Sequence, residues 1–218
     1  MFIGHFAVAL GAKKVAPELN LGILFIACQL LDLIWPVLVL VGLERVSVDH
    51  MATVVTPLNF EHYPYSHSLL TAVVYSLGLG GLTAFVLKSR RSGILFGSVV
   101  FSHWVLDFVT HRPDLPIWFA GPKVGLGLWN STTLAVAVEL SIFALSVWLY
   151  LQATPASNRK QKRWFWGLIA FFLVAYAGSV FGPKPPVDTP AAMIAGPALA
   201  MWIFVLWGYL VDRKIEKA

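Results

Sequence analysis

Residues Leu21 to Leu43 read LGILFIACQLLDLIWPVLVLVGL, an apolar run interrupted by one charge, Asp32, and one amide, Gln29. As a helix rising about 1.5 Å per residue, such a run reaches across a hydrocarbon core of about 30 Å. Lipid offers no partner to backbone N–H and C=O groups, so a single spanning segment satisfies them internally as a helix. Similar runs recur at about residues 66–87, 93–111, 131–151 and 164–182. A further one covers 190–211, beyond Pro183, Pro185, Pro186 and Pro190. The 218 residues are 58% hydrophobic and 12% charged, with a mean hydropathy of +0.74, whereas an average soluble domain carries about twice that charge. The sequence therefore predicts an all-α polytopic membrane helical bundle of about six spanning helices. It excludes a soluble enzyme, a disordered chain and a nucleic-acid-binding domain, so no nucleic-acid partner is expected. The lone Cys28 supports neither an internal disulfide nor a cysteine metal site.

Ahead of the first run lies a shorter apolar stretch, Met1 to Ala12, closed by Lys13 and Lys14. It lacks the charged start and small-residue cleavage site of a signal peptide, and is read as a retained half-membrane helix. Lys13, Lys14, Lys88, Arg90, Arg91, Arg159, Lys160, Lys162, Arg163, Arg213, Lys214 and Lys217 fall in alternate connections, and only Arg45, Arg112, Lys123 and Lys184 in the others. That bias places the first set, with the C-terminus, in the cytoplasm of a multi-pass protein and turns 44–65, 112–130 and 183–190 outward. Three parts follow: a core at 1–151, a basic cytoplasmic linker at 152–163 and a two-helix extension at 164–218. All six histidines precede the linker, which assigns the chemistry to the core.

An ionisable side chain deep in a membrane costs about 2.5–3.5 kcal/mol on insertion scales and usually faces a polar interior. Asp32, His103, Asp107 and Glu139 lie inside apolar runs, His5 in the short first helix and His67 at the start of the second span. His103, Asp107 and His111 share a helix face at i, i+4 and i+8. The first two can hold one metal, as an i, i+4 pair converges on one ion. About 12 Å of helix rise separates His103 from His111, too far to share an ion, so His111 would serve a second metal with Asp107 as the bridge. The competing reading is a polar stripe hydrogen-bonded between helices.

Counted as helix from the basic ends, His5, Asp32 and His103 stand at about 12, 16 and 15 Å, a common level. His67, about 30 Å from Lys88, needs tilt or a break at Gly78, Gly80 and Gly81 to join them. In Glu61-His62-Tyr63-Pro64-Tyr65-Ser66-His67-Ser68, Pro64 stops a helix and Ser66 is expected to cap the next, with His67 at its N-terminus. His50 reads as an ordinary loop histidine.

With these residues in hand, the chain resembles the bacterial membrane-bound metal-dependent hydrolases, inner-membrane proteins distantly related to zinc-dependent phospholipase C and the fungal zinc nucleases. The resemblance rests on His5, Asp32, the pair His62 and His67 followed by Ser68, and the His103-x-x-x-Asp107 helix, within residues 1 to about 150. The family's H-R-G-x-T-H-S is here His62-Tyr63-Pro64-Tyr65-Ser66-His67-Ser68. Soluble relatives complete a three-metal cluster with an N-terminal Trp and a His/Glu pair. Met1 stands at the Trp position and no H-x-x-x-E occurs, which implies two metals at most.

The resemblance and the shared depth together suggest a divalent-metal hydrolase of the bacterial inner membrane, with one or two zinc ions or manganese. Its substrate would be a phosphoester of a lipid or other amphiphile entering from the outer leaflet. His5, Asp32, His67, His103, Asp107 and His111 are the candidate ligands. Asp32, Glu139 and His62 are candidate proton carriers, Glu139 equally a further ligand or a carboxylate hydrogen-bonded between helices. The alternative is a transporter or proton-coupled channel using the same intramembrane residues. Neither G-x-S-x-G nor H-E-x-x-H occurs, which sets aside a serine hydrolase and a metalloprotease.

Overall fold

A computed structural model describes residues 1–154 and 159–212. Short helix α1 (Ile3–Ala12) leads into α2 (Leu21–Leu40). Strands β1 (Arg45–Val48) and β2 (Leu58–His62), one helical turn α3 (Pro64–His67), α4 (Leu69–Val86) and α5 (Arg90–Thr110) follow. Next come β3 (Leu115–Pro116), β4 (Lys123–Val124), α6 (Thr132–Ala153), α7 (Arg159–Phe181), α8 (Ala191–Ala198) and α9 (Met201–Val211). Six helical segments are long and apolar enough to cross a membrane, α8 and α9 together forming the sixth. The chain is thus an all-α polytopic membrane bundle with two small antiparallel hairpins, β1–β2 and β3–β4, at one end.

Local chemistry sets the helix limits. Asn20, Ser68, Ser89 and Ser131 each accept a backbone N–H from the first turn of α2, α4, α5 and α6, satisfying donors that a helix start leaves free. At the far end of α2, Gly42 adopts φ +77°. Gly42 N–H then bonds Val39 O and Leu43 N–H bonds Leu38 O, the glycine-terminated stop that turns the chain sharply. Pro197 lacks an N–H, and the chain passes from α8 to α9 through three-residue turns, Leu199 N to Gly196 O and Ala200 N to Pro197 O.

Helix α1 is the axis of the bundle rather than an appendage. Seven of its ten residues are buried, and it packs against α6, α2 and α5 and touches α7. Helices α4 and α5 meet where a Cβ on Gly93 or Gly97 would strike backbone oxygens of Gly80 or Ser76, so the small residues set their closeness. Gly22 and Gly208 do the same for α2 and α9. Behind α1, Phe172 of α7 is fully buried among Phe2, Phe6, Phe25, Phe143 and Phe204. At the opposite end from the hairpins, Lys13 Nζ donates to Asp212 Oδ2 at 2.7 Å, and Asp212 also accepts from Leu21 N–H.

Two boundaries differ from expectation. The second span starts at Leu69, capped by Ser68, while Pro64–His67 forms a separate turn. His67 therefore ends a turn instead of starting the span, and Ser66 does not cap it. Of the expected linker, Arg159, Lys160, Lys162 and Arg163 belong to α7. Residues 155–158, and the basic residues Arg213, Lys214 and Lys217, lie outside the described residues.

Candidate metal centre

Four elements bring five ionisable residues together: α1 supplies His5, α2 Asp32, α3 His67, and α5 His103 and Asp107. Asp107 Oδ2 lies 3.1 Å from His103 Nε2 and 3.8 Å from His67 Nε2. Its Oδ1 lies 3.1 Å from His5 Nε2, 3.9 Å from His111 Nε2 and 2.8 Å from the Met1 amino group. Asp32 stands 3.3 Å from His67 Nε2 through Oδ1 and 3.7 Å from His103 Nε2 through Oδ2. Two ligands held at about 2.1 Å on a tetrahedral zinc stand about 3.4 Å apart, within the range of these separations. Two triads, His5/His103/Asp107 and Asp32/His67/His103, have all their ligand atoms within 4.8 Å of one another.

The second nitrogen of His103, His111 and His67 is taken. His103 Nδ1 donates to Cys28 O at 2.7 Å, His111 Nδ1 to Asp114 Oδ1 at 3.0 Å, and His67 Nδ1 meets Ser66 Oγ at 2.6 Å. With a proton on Nδ1, a neutral imidazole turns its Nε2 lone pair toward the carboxylates. His103 Nε2 is indeed buried without a hydrogen-bond partner among the described residues. Lone pairs facing carboxylate oxygens at 3–4 Å repel unless a cation, proton or metal, lies between them. The donor set fits a divalent metal.

His5 differs from the others. Its ring stacks on His103 at 3.7 Å and 1°, and its Nδ1 is buried without a partner among the described residues. Exposure is uneven too: the Asp32 side chain is 28% exposed and the other five at most 5%, so the centre opens at Asp32.

His67 joins the centre with α4 unbroken through Gly78, Gly80 and Gly81. The one-turn α3 followed by extended Ser68 (ψ 151°) sets it below α4. His111 comes near as the cap of α5, facing the Asp107 oxygen opposite to His103, though outside both triads.

Glu139 and His62 lie apart from the triads. Glu139 Oε2 accepts Phe2 N–H at 3.0 Å and Gly4 N–H at 3.2 Å. It is a carboxylate hydrogen-bonded between helices, placed where the free N–H groups of α1 favour negative charge. His62 ends β2 half-exposed, its ring edge-on to Tyr65 at 6.2 Å. His50 bonds Pro185 O in an exposed loop.

Around the centre stand residues that the sequence did not single out. Tyr63 donates to Asp114 Oδ1 at 3.1 Å, and burial, with Asp114 beside it, pushes its phenol well above the ordinary value. Burial also works to raise the Asp114 carboxyl, but hydrogen bonds from His111, Tyr63 and Arg112 hold it below the usual carboxylate value. Arg112 reaches Ala52 O, Asn59 Oδ1 and Asp114 Oδ2, tying the loop after α5 to the β1–β2 hairpin. Phe60 and Trp129 close on the His111 ring at 5.1 and 4.5 Å. Glu44, 1% exposed, accepts from Tyr65 N–H, Ser66 N–H and Ser66 Oγ.

No family model, no curated protein and no solved structure matches the chain.

Proposed function

We propose that the protein is a membrane-embedded divalent-metal hydrolase, zinc being the ion and manganese the alternative, acting on a phosphoester of a lipid or other amphiphile. One observation carries the reading: imidazoles with Nδ1 engaged aim Nε2 at the carboxylates of Asp32 and Asp107, at separations suited to ligands of a common ion. His67, His103 and Asp32 would hold one ion. His5, Asp107 and His111 would hold a second. A bound divalent ion supplies Lewis acidity toward a phosphoryl oxygen and makes water more acidic.

The remaining work falls to the chain's own groups. Asp32, at the open side, is placed to accept a proton from an incoming water. Trp129, Phe60 and Tyr63 shield the His111 side from bulk water. A phosphorylated headgroup at Asp32 leaves an acyl chain in lipid, which is why an amphiphile suits a centre at this depth. The alternation of basic residues supports a bacterial inner-membrane protein with its C-terminus in the cytoplasm and the centre toward the outer face. The first-noted resemblance points to the same chemistry.

The test is phosphate release from lipid phosphoesters in proteoliposomes loaded with zinc or manganese. Hydrolysis that chelator abolishes and Asp32→Asn reduces at least about 100-fold is expected. Metal or proton uptake without hydrolysis, lost in Asp107→Asn, would instead establish the transporter reading.

A further inference from the structure

We propose that Glu44, acting through the Ser66 hydroxyl, is the positioning residue that fixes the tautomer of His67; the inference rests on reading His67 as a metal ligand. The chain delivers Glu44 by the sharp glycine stop of α2, two residues after Gly42. Its Oε1 accepts Tyr65 N–H at 2.9 Å and Ser66 N–H at 2.8 Å, and its Oε2 accepts Ser66 Oγ–H at 2.6 Å. The hydroxyl has one proton, and the carboxylate, which only accepts, takes it. Ser66 Oγ is then left as an acceptor toward His67 Nδ1, 2.6 Å away. Nδ1 must carry the imidazole proton, and Nε2 keeps its lone pair for Asp32 and Asp107's side of the centre, 3.3 and 3.8 Å away. Glu44 thus does for His67, through one hydroxyl, what Asp114 does directly for His111.

The polarity of this chain makes an isosteric change informative. In Glu44→Gln, two backbone N–H groups hold the amide oxygen in the Oε1 place, so the NH₂ faces Ser66 Oγ and donates to it. The hydroxyl proton then turns toward His67 Nδ1 at 2.6 Å in preference to Tyr63 O at 3.5 Å, and the imidazole proton moves to Nε2, where it blocks ligation. Removing the hydroxyl as well, in Glu44→Gln/Ser66→Ala, releases that lock. The double variant is expected to bind metal better than Glu44→Gln alone, a reversal that a merely structural role of Glu44 does not produce.

The experiment uses the full chain in detergent with ¹⁵N-labelled histidine and cobalt(II) as the probe. In the metal-free protein, His67 is expected to carry its proton on Nδ1, and in Glu44→Gln on Nε2. Cobalt(II) affinity is expected to fall about 10–100-fold in Glu44→Gln and to recover at least severalfold in the double variant. An unchanged His67 tautomer in Glu44→Gln, or a double variant that binds no better than the single one, overturns the proposal. A wild-type chain that binds no cobalt(II) refutes the metal reading instead, and the tautomer measurement still decides the role of Glu44.

Discussion

Helices α5 and α7 have nearly the same length, 21 and 23 residues, and opposite interiors. The buried side of α5 carries His103, Asp107 and Thr110, whereas that of α7 carries Phe165, Leu168, Ile169, Phe172 and Tyr176. Helices in lipid gain little from burying apolar surface against each other, because the tails are equally apolar, so close packing and polar contacts decide who sits where. Helix α5 packs on α4 through Gly93 and Gly97, and its other side meets polar groups that converge from α1, α2 and α3. Helix α7 is held by shape, with Phe172 wedged behind Phe2, just ahead of α1, and Phe6 of α1, while His5 on the same helix faces the Asp107 carboxylate. The first helix carries two residues of the His/Asp centre, and the second packs against α1 from behind.

That division is open to attack from both sides. The largest effect is expected from Asp107→Asn, which removes the carboxylate shared by His5, His67, His103 and His111. Zinc affinity, read by titration calorimetry in detergent, should drop at least about 100-fold. Glu139→Ala strikes the joint between the two regions, leaving Phe2 and Gly4 N–H groups buried and unpaired. Thermal unfolding followed by tryptophan fluorescence should show a loss of about 2–3 kcal/mol, with some weakening of metal binding as α1 loosens. Phe172→Ala is expected to cost about 2 kcal/mol, the cavity contribution alone, since transfer to lipid offsets the rest. Zinc affinity should stay within about twofold, and a tenfold loss would erase the distinction between the two helices. Smallest is Tyr63→Phe, which deletes one donor to Asp114 and should cost about 1 kcal/mol with zinc affinity little changed.

Much of this organisation was legible in the chain because it obeys simple periodicities. A run such as Leu21–Leu43 has one stable solution in lipid, and the i, i+4 spacing of His103 and Asp107 puts both on one face whatever surrounds them. The common depth of His5, Asp32 and His103 followed from helix rise alone. His67 was harder to place: extended Ser68 separates a one-turn helix from α4, and no spacing rule marks that junction. Glu139 was expected with three roles open, proton carrier, further ligand or interhelical carboxylate, and the fold shows it hydrogen-bonded to the start of α1. Glu44 and Asp114 escaped because they lie in irregular segments, where a carboxylate reads as solvated until the fold brings Ser66 or His111 against it. The place of α7 behind α1 was equally hidden, since an apolar helix carries no record of its neighbours.

The central claim is that this His/Asp centre binds a divalent ion, and elemental analysis of the full chain, purified without chelator, tests it most directly. About one or two equivalents of zinc or manganese per chain are expected in the wild type, and less than about a tenth of that in Asp107→Asn. A wild-type chain that holds no stoichiometric metal, even after exposure to zinc and manganese, would contradict it.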